Sequence, residues 1–161
     1  MTDPDLASAA AIRIGGDADV AFLAEALREM WLDNAIAPEQ IEPDYRERVA
    51  RFVAEGRREA ELEFFIAERD GRPVGAACCQ LYRGPYPLIV TPETRRFGYV
   101  WGVHVAAGER RRGLGRRLTE ACVDALRARG CTHAVLNASP SGRAIYEGLG
   151  FQPANEMRLA L

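Results

Sequence analysis

Residues 97–129, FGYVWGVHVAAGERRRGLGRRLTEACVDALRAR, constrain the fold more than any other stretch. The first nine, Phe97–Val105, are apolar, aromatic or β-branched and read as a buried strand. A turn over residues 106–109 leads into Arg110, Arg111, Arg112, Gly113, Leu114 and Gly115. After it, Leu114, Leu118, Ala121, Cys122, Ala125 and Leu126 recur at helical spacing on one face. Arg127 and Arg129 suit the negative end of a helix dipole, and Gly130 is a natural stop.

A strand feeding a glycine-rich turn that opens a helix is a physical device for holding phosphate. The first amides of a helix have no partner inside it and carry the positive end of the dipole. Glycine at 113 and 115 lets an anion approach without meeting a Cβ, and arginines add charge-assisted donors. Neither G-x-x-x-x-G-K-[ST] nor G-x-G-x-x-G occurs, so the Walker and Rossmann readings have nothing to rest on. The five arginines at 110, 111, 112, 116 and 117 also suggest a nucleic-acid patch or a solvated helix start. Against nucleic acid stand a net charge of −2 and the lack of any recognition motif.

The spacing R-x-x-G-x-G (Arg110, Gly113, Gly115) after a strand ending Val103-His104-Val105 resembles the acyl-CoA motif of the GNAT superfamily of N-acetyltransferases. Downstream, residues 139–151, SPSGRAIYEGLGF, resemble that family's second signature, a short helix ending in Y-E-x-L-G-F. The resemblance implies an α/β fold, a mixed and mostly antiparallel central sheet flanked by helices. It implies one domain over residues 11–161 behind a flexible stretch of residues 1–10. The implied reaction moves the acetyl group of acetyl-CoA to a primary amine of a small-molecule or amino-acid-like acceptor, directly, in a ternary complex.

The resemblance also assigns roles. The Val103 amide would meet the thioester carbonyl, and Val105 would bond the pantetheine arm, with His104 between them in the cofactor-binding stretch. Arg110, Arg111, Arg112, Gly113, Leu114, Gly115 and Arg116 would hold the pyrophosphate. Asn137, Ser139, Ser141 and Arg143 would line the cofactor groove. Tyr146 would protonate the departing sulfur. Two departures from the family's pattern stand out. Ser139 replaces an asparagine common in relatives, and the strand-borne glutamate base has no counterpart, because Tyr99, Trp101 and Gly102 occupy the candidate positions. A histidine is a side chain type that can serve as a base, but strand alternation turns His104 away from Val103 and Val105, which suits a structural role. Glu29, Asp33 and Glu156 are candidate carboxylates on the substrate side, and His133 reads as a solvated turn residue. The missing base keeps a second reading open, a catalytically silent acyl-CoA-binding regulatory module; Tyr146 favours the enzyme.

Length and composition set the frame. A chain of 161 residues, 48% of them apolar, suits one domain with a real core. No run of eighteen apolar residues is present to span a membrane. The start, MTDPDLASAA, lacks the basic and apolar blocks of a secretion signal. Cys78, Cys79, Cys122 and Cys131 follow no metal or disulfide spacing and read as reduced thiols of a cytoplasmic protein, with no metal site. A homodimer is left open.

Every basic side chain is an arginine, and the charges are divided. Residues 1–95 hold 18 acidic and 11 basic side chains, and residues 96–161 hold 5 and 10. The basic half suits an anionic cofactor. Residues 17–58, expected to wall the amine site, carry Glu25, Glu29, Asp33, Glu39, Glu42 and Asp44. Their carboxylates are expected to draw in a cationic acceptor.

The remaining elements follow from periodicity. Residues 11–14 form a short strand. Asp17 caps a helix with Val20, Leu23, Leu27, Met30 and Trp31 on one side. A second helix from Asp44, with Tyr45, Val49, Phe52 and Val53, ends near Gly56. Residues 62–68 and 74–82 form a hairpin around Asp70-Gly71. Prolines at 85, 87 and 92 make residues 83–96 a loop. Residues 132–136 form another strand, Ser139-Pro140 starts a helix through Leu149, and residues 151–161 supply a last strand or hairpin.

Overall fold

The computed structural model describes residues 9–160. The expectation of a flexible N-terminus falls almost wholly on residues outside that range. Within it, Ala10 is buried, and its carbonyl accepts a 2.7 Å hydrogen bond from Arg117 Nη1.

Five strands form one sheet in sequence order: β1 (Ala11–Ile14), β2 (Glu63–Arg69), β3 (Arg72–Tyr82), β4 (Phe97–Val105) and β5 (His133–Val135). The first three pairings are antiparallel and the last is parallel. The mixed sheet is thus mostly antiparallel, as expected. Helices α1 (Val20–Asp33) and α2 (Tyr45–Glu59) cover one face, and α3 (Leu114–Ala128) covers the other.

That two-sided cover explains the sequence of β2. Phe64, Phe65, Ile66 and Ala67 are all buried, a continuous apolar run instead of an alternating one. Phe65 and Ala67 join Leu114, Leu118, Cys122 and Leu126 of α3, while Phe64 and Ile66 join Leu23 and Leu27 of α1 with Val53 of α2. All four cysteines are free thiols, and Cys78, Cys79 and Cys122 are buried. No helix among the described residues is long and apolar enough to cross a membrane.

Four boundaries differ from the sequence expectation. A single 3-10 turn, Asp17–Asp19, precedes α1. Asp19 then serves β1: Arg13 holds it at 2.7 Å and keeps its carboxyl at about 2, well below the carboxylate norm. Helix α2 runs past Gly56 to Glu59, since a glycine in a helix interior costs only about 1 kcal/mol. Helix α4 is a single turn, Arg143–Glu147, because residues 139–142 form a hydrogen-bonded turn before it. Residues 151–160 form no strand or hairpin.

Leu118 is fully buried where α3 meets the sheet. Leu118→Ala should lower the unfolding free energy by about 2–5 kcal/mol. Ile89→Ala, at a loop position 87% exposed, should change it by less than about 0.5 kcal/mol. Urea denaturation of both variants checks this; equal losses would contradict the described core.

Candidate active site

The site is built around an irregularity in β4. Ala76 pairs with His104 and Cys78 with Trp101, so β4 holds one more residue than β3 across this interval. Such a bulge needs a backbone turn, and Gly102 supplies it with φ 64°, in the left-handed region. A Cβ there would lie 2.8 Å from Leu27 Cδ2. The bulge resets the alternation. Val100, Val103 and Val105 pack toward α3, whereas Trp101 packs among the α1 and α2 side chains.

Beyond Tyr99, β4 also loses its parallel partner. Residues 97–99 pair with 133–135, and β5 ends there, while β4 continues to Val105. Between the diverging strands opens a cleft of about 770 Å³. Val103, Asn137, Ser139 and Tyr146 line one part of it; Trp31 of α1 and Phe52 of α2 line another. Burial raises the Tyr99 hydroxyl pKa, and nearby Asn137 acts slightly in the other direction.

Tyr146 sits on α4, its ring edge-on to Phe151 at 6.1 Å. Burial raises its hydroxyl pKa above the ordinary tyrosine value, so the phenol keeps its proton at neutral pH. The Ser139 hydroxyl accepts a 3.3 Å bond from the Gly142 amide and lies 3.2 Å from Ser141 Oγ, which shapes the turn into α4.

The start of α3 is the second part of the site. Gly113 caps the helix at φ 74°, and Arg111 is also left-handed at φ 65°. Changes of hand of this kind form amide-lined hollows that suit anions. Open space surrounds the Cβ position of Gly113. At Gly115 a Cβ would meet Ile145 Cδ1 at 3.3 Å, so α4 lies directly against the first turn of α3.

Not every candidate joins these two parts. His104 is buried on the face of β4 opposite Val103 and Val105, with Nε2 3.0 Å from Glu29 Oε2. Arg110 turns away from the helix start: its Nε donates to the Val105 carbonyl at 2.9 Å and its Nη2 to Asp33 at 2.5 Å. Arg112 lies 3.9 Å from Glu109, Arg116 pairs with Glu120 at 2.9 Å, and Arg143 pairs with Glu147 at 3.3 Å.

The expected wall of carboxylates is not there. None of Glu25, Glu29, Asp33, Glu39, Glu42 or Asp44 lines the main cleft. Glu25 accepts from Tyr45 and Arg46, and Asp44 from Arg48. Glu29 and Asp33 are engaged by His104 and Arg110. Charge counting found the carboxylates but could not see their partners. It also missed Gly102, whose position inside an apolar strand was the available signal for a bulge.

Solved structures share this fold. An acetyltransferase from Clostridium acetobutylicum, solved with acetyl-CoA, is 21% identical, with a TM-score of 0.79 over 94% of this chain and 96% of its own. A GCN5-related N-acetyltransferase from Ralstonia eutropha is also 21% identical, with a TM-score of 0.79 over 94% and 98%. The aminoglycoside N-acetyltransferase AAC(6')-Iy, solved with a CoA-containing bisubstrate analogue, is 18% identical, with a TM-score of 0.75 over 96% and 98%. No curated protein matches the sequence. The model of the acetyltransferase (GNAT) family matches residues 24–151, and the chain belongs to that family.

The environment of Tyr146 has a spectroscopic consequence. In a near-ultraviolet pH titration, the difference between wild type and Tyr146→Phe should ionise above the ordinary tyrosine value of 10.0. An ordinary or lowered midpoint would contradict the buried placement.

Proposed function

We propose that the chain transfers the acetyl group of acetyl-CoA to a primary amine of a small-molecule or amino-acid-like acceptor, directly, with both substrates bound together. One observation carries this reading: the bulged end of β4, the Tyr146 hydroxyl and the walls from α1 and α2 all meet in a single cleft. A cleft of about 770 Å³ with walls from both sides supports binding donor and acceptor together, without a covalent enzyme intermediate.

The amides at the start of α3, around Gly113, would hold the pyrophosphate of the donor, helped by Arg111, Arg112 and Arg116. Arg110 is assigned a tethering role instead. Asn137 would hold the pantetheine arm. The Val103 amide would donate to the thioester oxygen and stabilise the charge that develops on it. The acceptor nitrogen attacks the carbonyl carbon, the carbon–sulfur bond breaks, the amine loses one proton and the sulfur gains one. Tyr146, protonated at neutral pH, would give its proton to the sulfur and recover one from solvent.

Two variants separate binding from chemistry. Gly113→Val would place a side chain in the open space above the helix start. Calorimetric affinity for acetyl-CoA should fall at least about tenfold, from lost charge-assisted hydrogen bonds. Gly108→Val, at another position open around its Cβ, should bind normally. Unchanged affinity in folded Gly113→Val would remove the phosphate assignment.

Tyr146→Phe should bind acetyl-CoA normally and lose about tenfold to a thousandfold in turnover. Full turnover with a saturating acceptor would reduce Tyr146 to a packing residue.

A further inference from the structure

Among the described residues, the only formally charged side chains lining the main cleft are Arg48 and Arg158. They come from different elements, α2 and the C-terminal segment. Each keeps its Nε on a nearby carboxylate, Arg48 on Asp44 at 2.7 Å and Arg158 on Glu156 at 2.8 Å. For Arg48, Nη2 also lies 3.4 Å from Glu42 Oε2. A guanidinium has five N–H donors, so both retain donors for a ligand.

Aromatic rings line the same cleft. Trp101 stands edge-on to Phe52 at 5.5 Å and donates its indole N–H to Gln80 at 3.1 Å, which fixes the ring. Trp31 is 52% exposed although it lies on the sheet-facing helix, which leaves its ring as cleft wall. A second cavity of about 360 Å³ between α1 and α2 shares Leu27, Trp31, Arg48 and Val49 with the first. Arg48 therefore stands where the two spaces join.

We infer that the acceptor is an amino acid with an aromatic or large apolar side chain, its carboxylate held by Arg48 and Arg158. This rests on the transferase reading above and names its substrate class. Arginine pairs with carboxylate through a fork of parallel hydrogen bonds, a match a simple amine cannot exploit. The flat rings of Trp31, Phe52 and Trp101 suit an apolar body of the same kind. A polycationic acceptor finds no such match: the cleft wall presents guanidinium donors, and the carboxylates beside them, Asp44, Glu42 and Glu156, are already engaged by those guanidinium groups.

The experiment first measures acetyl-CoA binding by calorimetry. It then follows thiol release with phenylalanine, tryptophan, their decarboxylated amines phenethylamine and tryptamine, and spermidine. Phenylalanine or tryptophan should exceed its decarboxylated partner about ten- to hundredfold in kcat/KM, the range for a hydrogen-bonded charge. In Arg48→Gln, and separately in Arg158→Gln, that ratio should collapse toward one while acetyl-CoA affinity stays at the wild-type value. Failure to bind acetyl-CoA would sink the transferase reading itself. With binding intact, a higher kcat/KM for the decarboxylated amines or spermidine, no turnover of any amino acid, or an unaltered ratio in both variants would overturn the acceptor class alone.

Discussion

The extra residue in β4 is the constraint on which the cleft depends. Strict alternation from Val100 would have put residue 104 beside Val100, against α3. Instead the turn at Gly102 sends His104 to Glu29 of α1 and brings Val103 and Val105 to the α3 side. The strand also kinks as it passes the end of β5. Two neighbours that would otherwise continue as a ladder separate, and the backbone of β4 faces open space. A cavity made this way is expensive to lose. Closing it would require removing a residue, which would turn every later side chain of β4 to the opposite face.

Arginine is the only cation in the chain, and that choice shapes the charge pattern. Its donors reach several acceptors at once, so one residue can join elements far apart in sequence. Arg13 meets Asp19 and Glu68, and Arg129 meets Glu63, all on the framework of the sheet. The acidic first half of the chain is largely consumed by such pairs. Carboxylates counted as free attractants for a cation become partners of local arginines, a tyrosine or a histidine. What remains on the cleft wall is two guanidinium groups, each also held by a carboxylate beside the cleft. A charge total therefore misleads about a site whenever pairing is uneven, because the potential there depends on which groups lack partners nearby.

The architecture was readable where local signals were strong. The apolar run of β4, the glycine-led start of a helix and the amphipathic face of α3 lie within one continuous stretch, and each appears as expected. The thiols of Cys78, Cys79 and Cys122 also lie buried and unpaired. The sequence was less informative where pairing decides the outcome. Residues 151–161 are expected to supply a last strand or hairpin, but residues 151–160 pair with no neighbour, and a strand without a ladder has nothing to hold its backbone. Helix α2 runs through Gly56, where the lack of a side chain makes room for Leu62: a Cβ there would lie 2.6 Å from Leu62 Cδ1. That contact follows from tertiary packing, which no propensity contains. At the site, the motif residues could be located by spacing; the walls from α1, α2 and the C-terminal segment could not.

Arg110 shows how a motif residue can hold a site together without touching its ligand. It begins the R-x-x-G-x-G stretch, yet its guanidinium bridges the Val105 carbonyl and Asp33 near the C-terminal end of α1. One turn earlier on α1, Glu29 holds His104 of β4. The end of the bulged strand is thereby fastened to α1 at two successive turns of the helix, and Trp31, which walls the cleft, lies between them. Half-exposed ion pairs of this kind contribute little to global stability. Their effect is geometric: the phosphate-holding turn begins at a fixed point on β4, and the aromatic wall of α1 is fixed to that same point. The spacing between the two ends of the cleft is thus set by one short stretch of β4 and two carboxylates a helical turn apart.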